Sequence, residues 1–193
     1  MTTPSRRRWM VAVVGDGDVP PGSTKYVLAE AVGAGLCEHG FRVLTGGLGG
    51  VMEAASRGAR RAAGSSPGMV VALLPGTDAR DANPYADVVI PTGIGHLRNG
   101  IVALADAIVA IGGGAGTLAE LALGWIHGRL LVALRVDGWS GRLADQRLDA
   151  RVRHAAMADD RVYGADTPAQ AVRIVRDRIA AYAPRPSHAP SSS

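Results

Sequence analysis

Short apolar runs alternate along the chain with longer stretches whose apolar residues recur at helical spacing. Six runs read as strands, at residues 9–14, 41–44, 69–74, 87–90, 107–111 and 130–134. Six stretches between and after them, rich in alanine and glycine, read as helices at 24–39, 50–63, 97–105, 117–127, 143–157 and 168–181. Ile108-Val109-Ala110-Ile111 is apolar at consecutive positions. A strand with one wet face would alternate, so continuous apolarity predicts a parallel sheet covered on both sides. Regular strand–helix alternation then predicts an α/β fold: a single Rossmann-like, doubly wound parallel sheet of about six strands with helices on both faces. One domain is expected over residues 1–182, while the Pro- and Ser-rich residues 183–193 have little to bury and read as a mobile tail.

Composition narrows the functional classes. The chain has 193 residues, 47% of them hydrophobic and 20% charged, which suits one well-buried core. No apolar run approaches the roughly 18 residues of a membrane span. The basic start leads into an apolar run too short for a secretion signal, so a cytoplasmic protein is expected. Cys37 is the only cysteine, which excludes a disulfide within the chain and any cysteine-based metal cluster. No sequence feature implies a metal. The net charge of +4 rests almost wholly on arginine, since Lys25 is the only lysine. The arginines are scattered and aromatic residues make up only 4%, which argues against a nucleic-acid surface or a base-stacking platform.

Three strand ends carry glycine clusters: Gly15-Asp16-Gly17-Asp18, Gly46-Gly47-Leu48-Gly49-Gly50, and Gly112-Gly113-Gly114-Ala115-Gly116-Thr117. In a doubly wound sheet these ends share one edge, where ligands bind. Glycine lets the backbone approach a ligand closely, and a helix starting just beyond offers unpaired N–H groups and the positive end of its dipole. Strand, glycine turn and helix together predict a phosphate site, with Gly15, Gly46, Gly47 and the Gly112–Thr117 run as its elements. Thr117 and Glu120 also fit a capping box, in which they serve only the helix start. The two readings of Glu120 stay open. Glu53, Asp16 and Asp18 lie at the same edge and have turn or capping roles as alternatives to ligand contact.

Two familiar nucleotide motifs are absent. Gly15 and Gly17 begin a G-x-G-x-x-G pattern, but its third position is Pro20, and the second strand ends in Thr45-Gly46-Gly47 where a dinucleotide fold has an acidic ribose ligand. Lys25 follows Thr24 without the glycine spacing of a P-loop.

Three segments in order, Thr45 to Glu53, Gly93-Ile94-Gly95-His96-Leu97-Arg98-Asn99, and Gly112 to Glu120, resemble the superfamily that contains the LOG-type phosphoribohydrolases and the molybdenum cofactor carrier proteins. The resemblance spans roughly residues 11–134. In the LOG-type enzymes a P-G-G-x-G-T-x-x-E motif and an upstream arginine hydrolyse the N-glycosidic bond of a nucleoside 5′-monophosphate. Carried over, Glu120 and Arg98 are the catalytic pair, and the glycine run with Thr117 takes the 5′-phosphate. A carboxylate there can activate water and stabilise charge on the ribose, with arginine orienting its partners.

The sequence departs from the enzymes in ways that favour the carrier branch. Ile111-Gly112 replaces their proline before the paired glycines, Asn99 rather than lysine follows Arg98, and Arg98 lies one residue closer to the next strand. Carriers of that branch bind a phosphorylated pterin or an oxyanion without needing to react with it. The resemblance therefore implies a small phosphorylated ligand, either a nucleoside monophosphate to be cleaved or molybdenum cofactor to be carried, with Asn99 added to the binding set and no further cofactor required. It also implies a homo-oligomer, dimer or tetramer, consistent with a helix from Leu118 that is apolar on more than one side.

Overall fold

The computed structural model describes residues 7–182; the tail expected at 183–193 lies outside the described residues. Thirteen elements follow in order: β1 (Met10–Gly15), α1 (Thr24–Glu38), β2 (Arg42–Thr45), α2 (Val51–Arg61), β3 (Val70–Leu74), β4 (Val88–Pro91), α3 (Arg98–Val102), β5 (Ala107–Ile111), α4 (Ala115–Ile126), β6 (Leu130–Leu134), α5 (Trp139–Leu143), β7 (Val162–Ala165) and α6 (Pro168–Arg178). All strands are parallel, in the order β4-β3-β2-β1-β5-β6-β7. The chain winds outward from β1 to β4, crosses back to β5, and winds outward on the other side. The crevice between β1 and β5 is thus the topological switch point, where ligands bind in open α/β sheets.

The central strands β1 and β5 have the two-sided apolar character expected of them. Val11, Val13, Val109 and Ile111 pack into a layer with α1, α2 and α6, while Ala12, Val14, Ile108 and Ala110 face Leu121 and Trp125 of α4 and Val102 of α3. Helices α1 and α2 cross closely because Gly33 lies against the Ala55 carbonyl and Gly58 against that of Glu30, where a methyl group would overlap the backbone.

Two expectations need correction. The sheet has seven strands rather than about six, because β7 adds an edge strand beside β6. The helix expected at 143–157 does not form; the short α5 ends at Leu143, and turns and bends occupy most of the way to β7. Asp145 accounts for the break. It takes a left-handed φ of 63°, a cost few side chains tolerate inside a helix. In return its N–H donates to the Val162 carbonyl, and its carboxylate accepts from Gly164 N–H and Arg135. Arg153 pins the rest: it lies 3.6 Å over the Trp125 ring, bonds Asp160 at 2.9 Å, and donates to the Trp125 and Arg129 carbonyls at the end of α4.

Candidate functional site

Gly15 and Ile111 are register partners at the carboxyl ends of β1 and β5, and the Gly46–Gly50 turn after β2 joins them at the same edge. The structure thus brings together all three glycine clusters. A crevice of 190 Å³ opens there, lined by Gly15, Gly46, Leu48, Met52, His96, Arg98, Asn99, Gly116, Thr117 and Glu120, together with the end of β1.

The crevice is built around one buried ion pair. Arg98 opens α3 and Glu120 lies in α4; Arg98 Nη1 donates to Glu120 Oε1 at 3.0 Å, with both side chains under a tenth exposed. Taking a carboxylate out of water disfavours its charged form, and here burial outweighs the opposing pull of the Arg98 charge and hydrogen bond. The Glu120 carboxyl is pushed up to about 7. Arg98 Nε is buried with no hydrogen-bond partner among the described residues. A guanidinium donor left so is costly, and an ordered water or a ligand atom would relieve it.

The capping-box reading of Thr117 and Glu120 does not hold. Helix α4 starts at Ala115 with Gly114 at the cap and no capping side chain, so Thr117 lies inside the first turn and Glu120 is committed to Arg98. The first backbone acceptor of α4 is Gly114, bonded by Leu118 N–H. The N–H groups of Ala115, Gly116 and Thr117 therefore precede the first helical hydrogen bond, as an anion site requires.

The glycines divide the work differently from the sequence expectation. Gly46 makes room for protein, since a side chain there would overlap the Arg98 guanidinium and Met52 Sδ. Gly15 makes room for the Ile111 carbonyl and Val51. Gly112 and Gly113 have φ of 65° and 92°, and their N–H groups are already taken: Gly112 N–H donates to Ser140 Oγ at 2.7 Å, Gly113 N–H to Asp16 Oδ2 at 3.0 Å. Asn99, almost fully buried, spans α3 and α4 through a long 3.4 Å bond to the Gly116 carbonyl.

Several contributors had no signal in the sequence. Ser140, wholly buried on α5, ties Gly112 N–H to the Leu134 carbonyl, and Asn83 donates to the Gly47 and Leu48 carbonyls. Their partners are backbone atoms of distant elements, which no local pattern announces, although Gly138 after β6 is a further strand-end glycine. Lys25 donates to Asp16 at 2.7 Å. Glu53 accepts from the Tyr26 hydroxyl at 3.0 Å and Asp18 is exposed.

Residues 8–172 match the model of the SLOG cluster4 family. The chain belongs to that family. In sequence, the chain is similar to an uncharacterised protein of Archaeoglobus fulgidus, 39% identical over 127 residues, which are 65% of this chain and 79% of that protein. In structure, the chain is similar to the molybdenum cofactor binding protein of Rippkaea orientalis, with a TM-score of 0.73 and 30% identity over 91% of this chain and 99% of that one. It is also similar to the molybdenum cofactor carrier protein of Chlamydomonas reinhardtii, with a TM-score of 0.71 and 29% identity over 90% and 99% of the two chains. This membership of SLOG cluster4 and the likeness to the carriers agree with the superfamily resemblance read from the three motif segments.

Proposed function

We propose that this protein binds a phosphorylated small molecule in the β1–β5 crevice, and that its cargo is molybdenum cofactor, carried rather than transformed. The observation that carries the reading is the buried Arg98 in the wall of a crevice that Gly116 and Thr117, from the first turn of α4, also line. A fixed cation and free helix N–H groups in one crevice suit an anion. The likeness to carrier proteins over nine-tenths of the chain supports molybdenum cofactor as that anion's source. The 190 Å³ crevice is smaller than the roughly 300 Å³ that encloses a whole ligand of this size, so it would take the phosphate and its neighbouring atoms while the remainder lies along the open glycine edge.

Hydrolysis of a nucleoside 5′-monophosphate is the second reading, favoured by Glu120. A carboxyl titrating near 7 suits general acid–base work at neutral pH. One experiment separates the two. The purified protein is offered molybdenum cofactor, with molybdenum co-elution measured by size-exclusion chromatography, and separately a panel of nucleoside monophosphates, with free base measured by chromatography. The carrier reading expects co-elution that survives Glu120→Ala and no free base. Base release abolished by Glu120→Ala would instead establish the hydrolase.

Self-association belongs to the same proposal. Short α3 leaves the outer half of one sheet face thinly covered, and a second copy of the chain is its natural cover.

A further inference from the structure

Resting on the phosphate-binding reading above, we infer that Asp16 and Lys25 form a displaceable gate: the Asp16 carboxylate occupies two donors, Gly113 N–H and Lys25 Nζ, that the ligand's phosphate takes over.

Asp16 Oδ2 accepts from Gly113 N–H at 3.0 Å and from Lys25 Nζ at 2.7 Å. A glycine-turn N–H beside a lysine ammonium is the donor set that cradles phosphate oxygens, and a carboxylate oxygen mimics one of them. Clearance for the pair is built in. A side chain on Gly112 would overlap Asp16 Oδ2 and come within 2.9 Å of Lys25 Cδ and Cε.

The placement of Lys25 is costly for its own helix. It is in the first turn of α1, which contains no acidic residue, so its ammonium lies near the positive end of the dipole. Lys25 is also the only lysine in a chain that otherwise uses arginine. A compact ammonium on a flexible stem can turn from one oxygen to another more readily than a planar guanidinium held by a two-pronged pair.

Exposure separates this pair from the other ion pair of the site. The Asp16 and Lys25 side chains are 28% and 24% exposed, against 8% and 9% for Glu120 and Arg98. Water reaches the first pair, so its separation is compensated by solvation and the pair is weakly held. The second pair is locked. A phosphate bound at the α4 N-terminus would then have one fixed cation, Arg98 in the crevice wall, and one releasable cation, Lys25 at the glycine turn that precedes the helix. Asp16 opposes its entry until Lys25 and Gly113 change partners.

The test is calorimetric titration with inorganic phosphate and with adenosine 5′-monophosphate, at fixed ionic strength, on the full chain and on Asp16→Asn and Lys25→Gln. The gate expects opposite signs: Asp16→Asn tightens binding about tenfold and Lys25→Gln weakens it about tenfold, as befits removal of a near repulsive or attractive charge. Shifts of the same sign, or none beyond twofold, would overturn the gate while leaving the phosphate site standing. Absence of binding in the wild type and in Asp16→Asn would overturn the phosphate reading and the gate together. A second readout needs no variant. With one lysine in the chain, acylation by an amine reagent followed by peptide mapping reports on Lys25 alone among side-chain amines. Bound phosphate should slow that acylation; an unchanged rate counts against the gate.

Discussion

At the scale of single residues, Glu120 brings a titration near neutrality into the core of the site. Its carboxyl is pushed up to about 7 by burial, whereas an unfolded chain would titrate it near 4.5. Between those values the folded state holds a proton that the unfolded state has released, so stability falls as pH rises. The contribution is fully present below about pH 4.5 and is lost as pH passes 7. The difference between those two values corresponds to roughly 3 kcal/mol. Glu120→Gln keeps the shape and removes the titration. Urea unfolding of both proteins at pH 5 and pH 8 should show the wild type losing stability relative to the variant by about that amount, and parallel changes would contradict it. Arg98→Ala is the complementary change: it removes the charge and hydrogen bond that hold the Glu120 carboxyl down, so that carboxyl should titrate above its wild-type value.

At the scale of elements, the glycine run is held from behind by α5. Ser140 Oγ accepts from Gly112 N–H and donates to the Leu134 carbonyl, both at 2.7 Å, and the N–H groups of Trp139 and Ser140 donate to the Gly113 and Gly112 carbonyls. Ser140→Ala would leave a buried N–H without an acceptor, a cost of about 1–3 kcal/mol. Because that N–H belongs to the loop before α4, phosphate affinity should fall along with the melting temperature. A melting temperature unchanged from wild type would remove α5 from its supporting role. This element was the least legible in the sequence. Residues 143–157 have helical spacing, yet Val152 is exposed, Leu148 packs on the second core cluster, and Arg153 and Asp145 make their bonds to distant strands and helices. The four residues of β7 include Gly164 and follow two aspartates and an arginine, too short a run to stand out. Strands β1, β2, β3, β5 and β6 were legible because two-sided burial writes itself as continuous apolar sequence, whereas β4 has the apolar run although its edge position leaves most of it exposed. The three glycine clusters were legible for a different reason: each follows such a strand and precedes a helical pattern.

At the scale of the whole molecule, the two faces of the sheet are covered unequally. Helices α1, α2 and α6 lie across one face, while the other is covered by α4 and the short α5 on one side and by an α3 of only five residues on the other. Around α3, Leu97, Ile101 and Leu104 are 79%, 43% and 49% exposed, and they recur at spacings of four and three, as one helical stripe does. Ile90 on the edge strand β4, 44% exposed, borders the same groove, whose floor is Leu44, Val71 and Leu73. A parallel sheet is stable only when both faces are covered, and contiguous exposed apolar area marks an interface. Arg7 and Asp106 in that groove already pair with each other, so the surface offers a partner mainly apolar contact. A second copy presenting the same stripe meets that requirement by two-fold symmetry. The double substitution Ile101→Lys with Leu104→Lys should convert the protein to a monomer in sedimentation at micromolar concentration, with the fold retained because both side chains are about half exposed and a lysine stem can cover the same apolar surface. A wild type that sediments as a monomer at the same concentration would remove self-association through this face. Arg98 and Asn99 belong to the same short helix as Ile101, so the partner would also steady the residues that line the crevice.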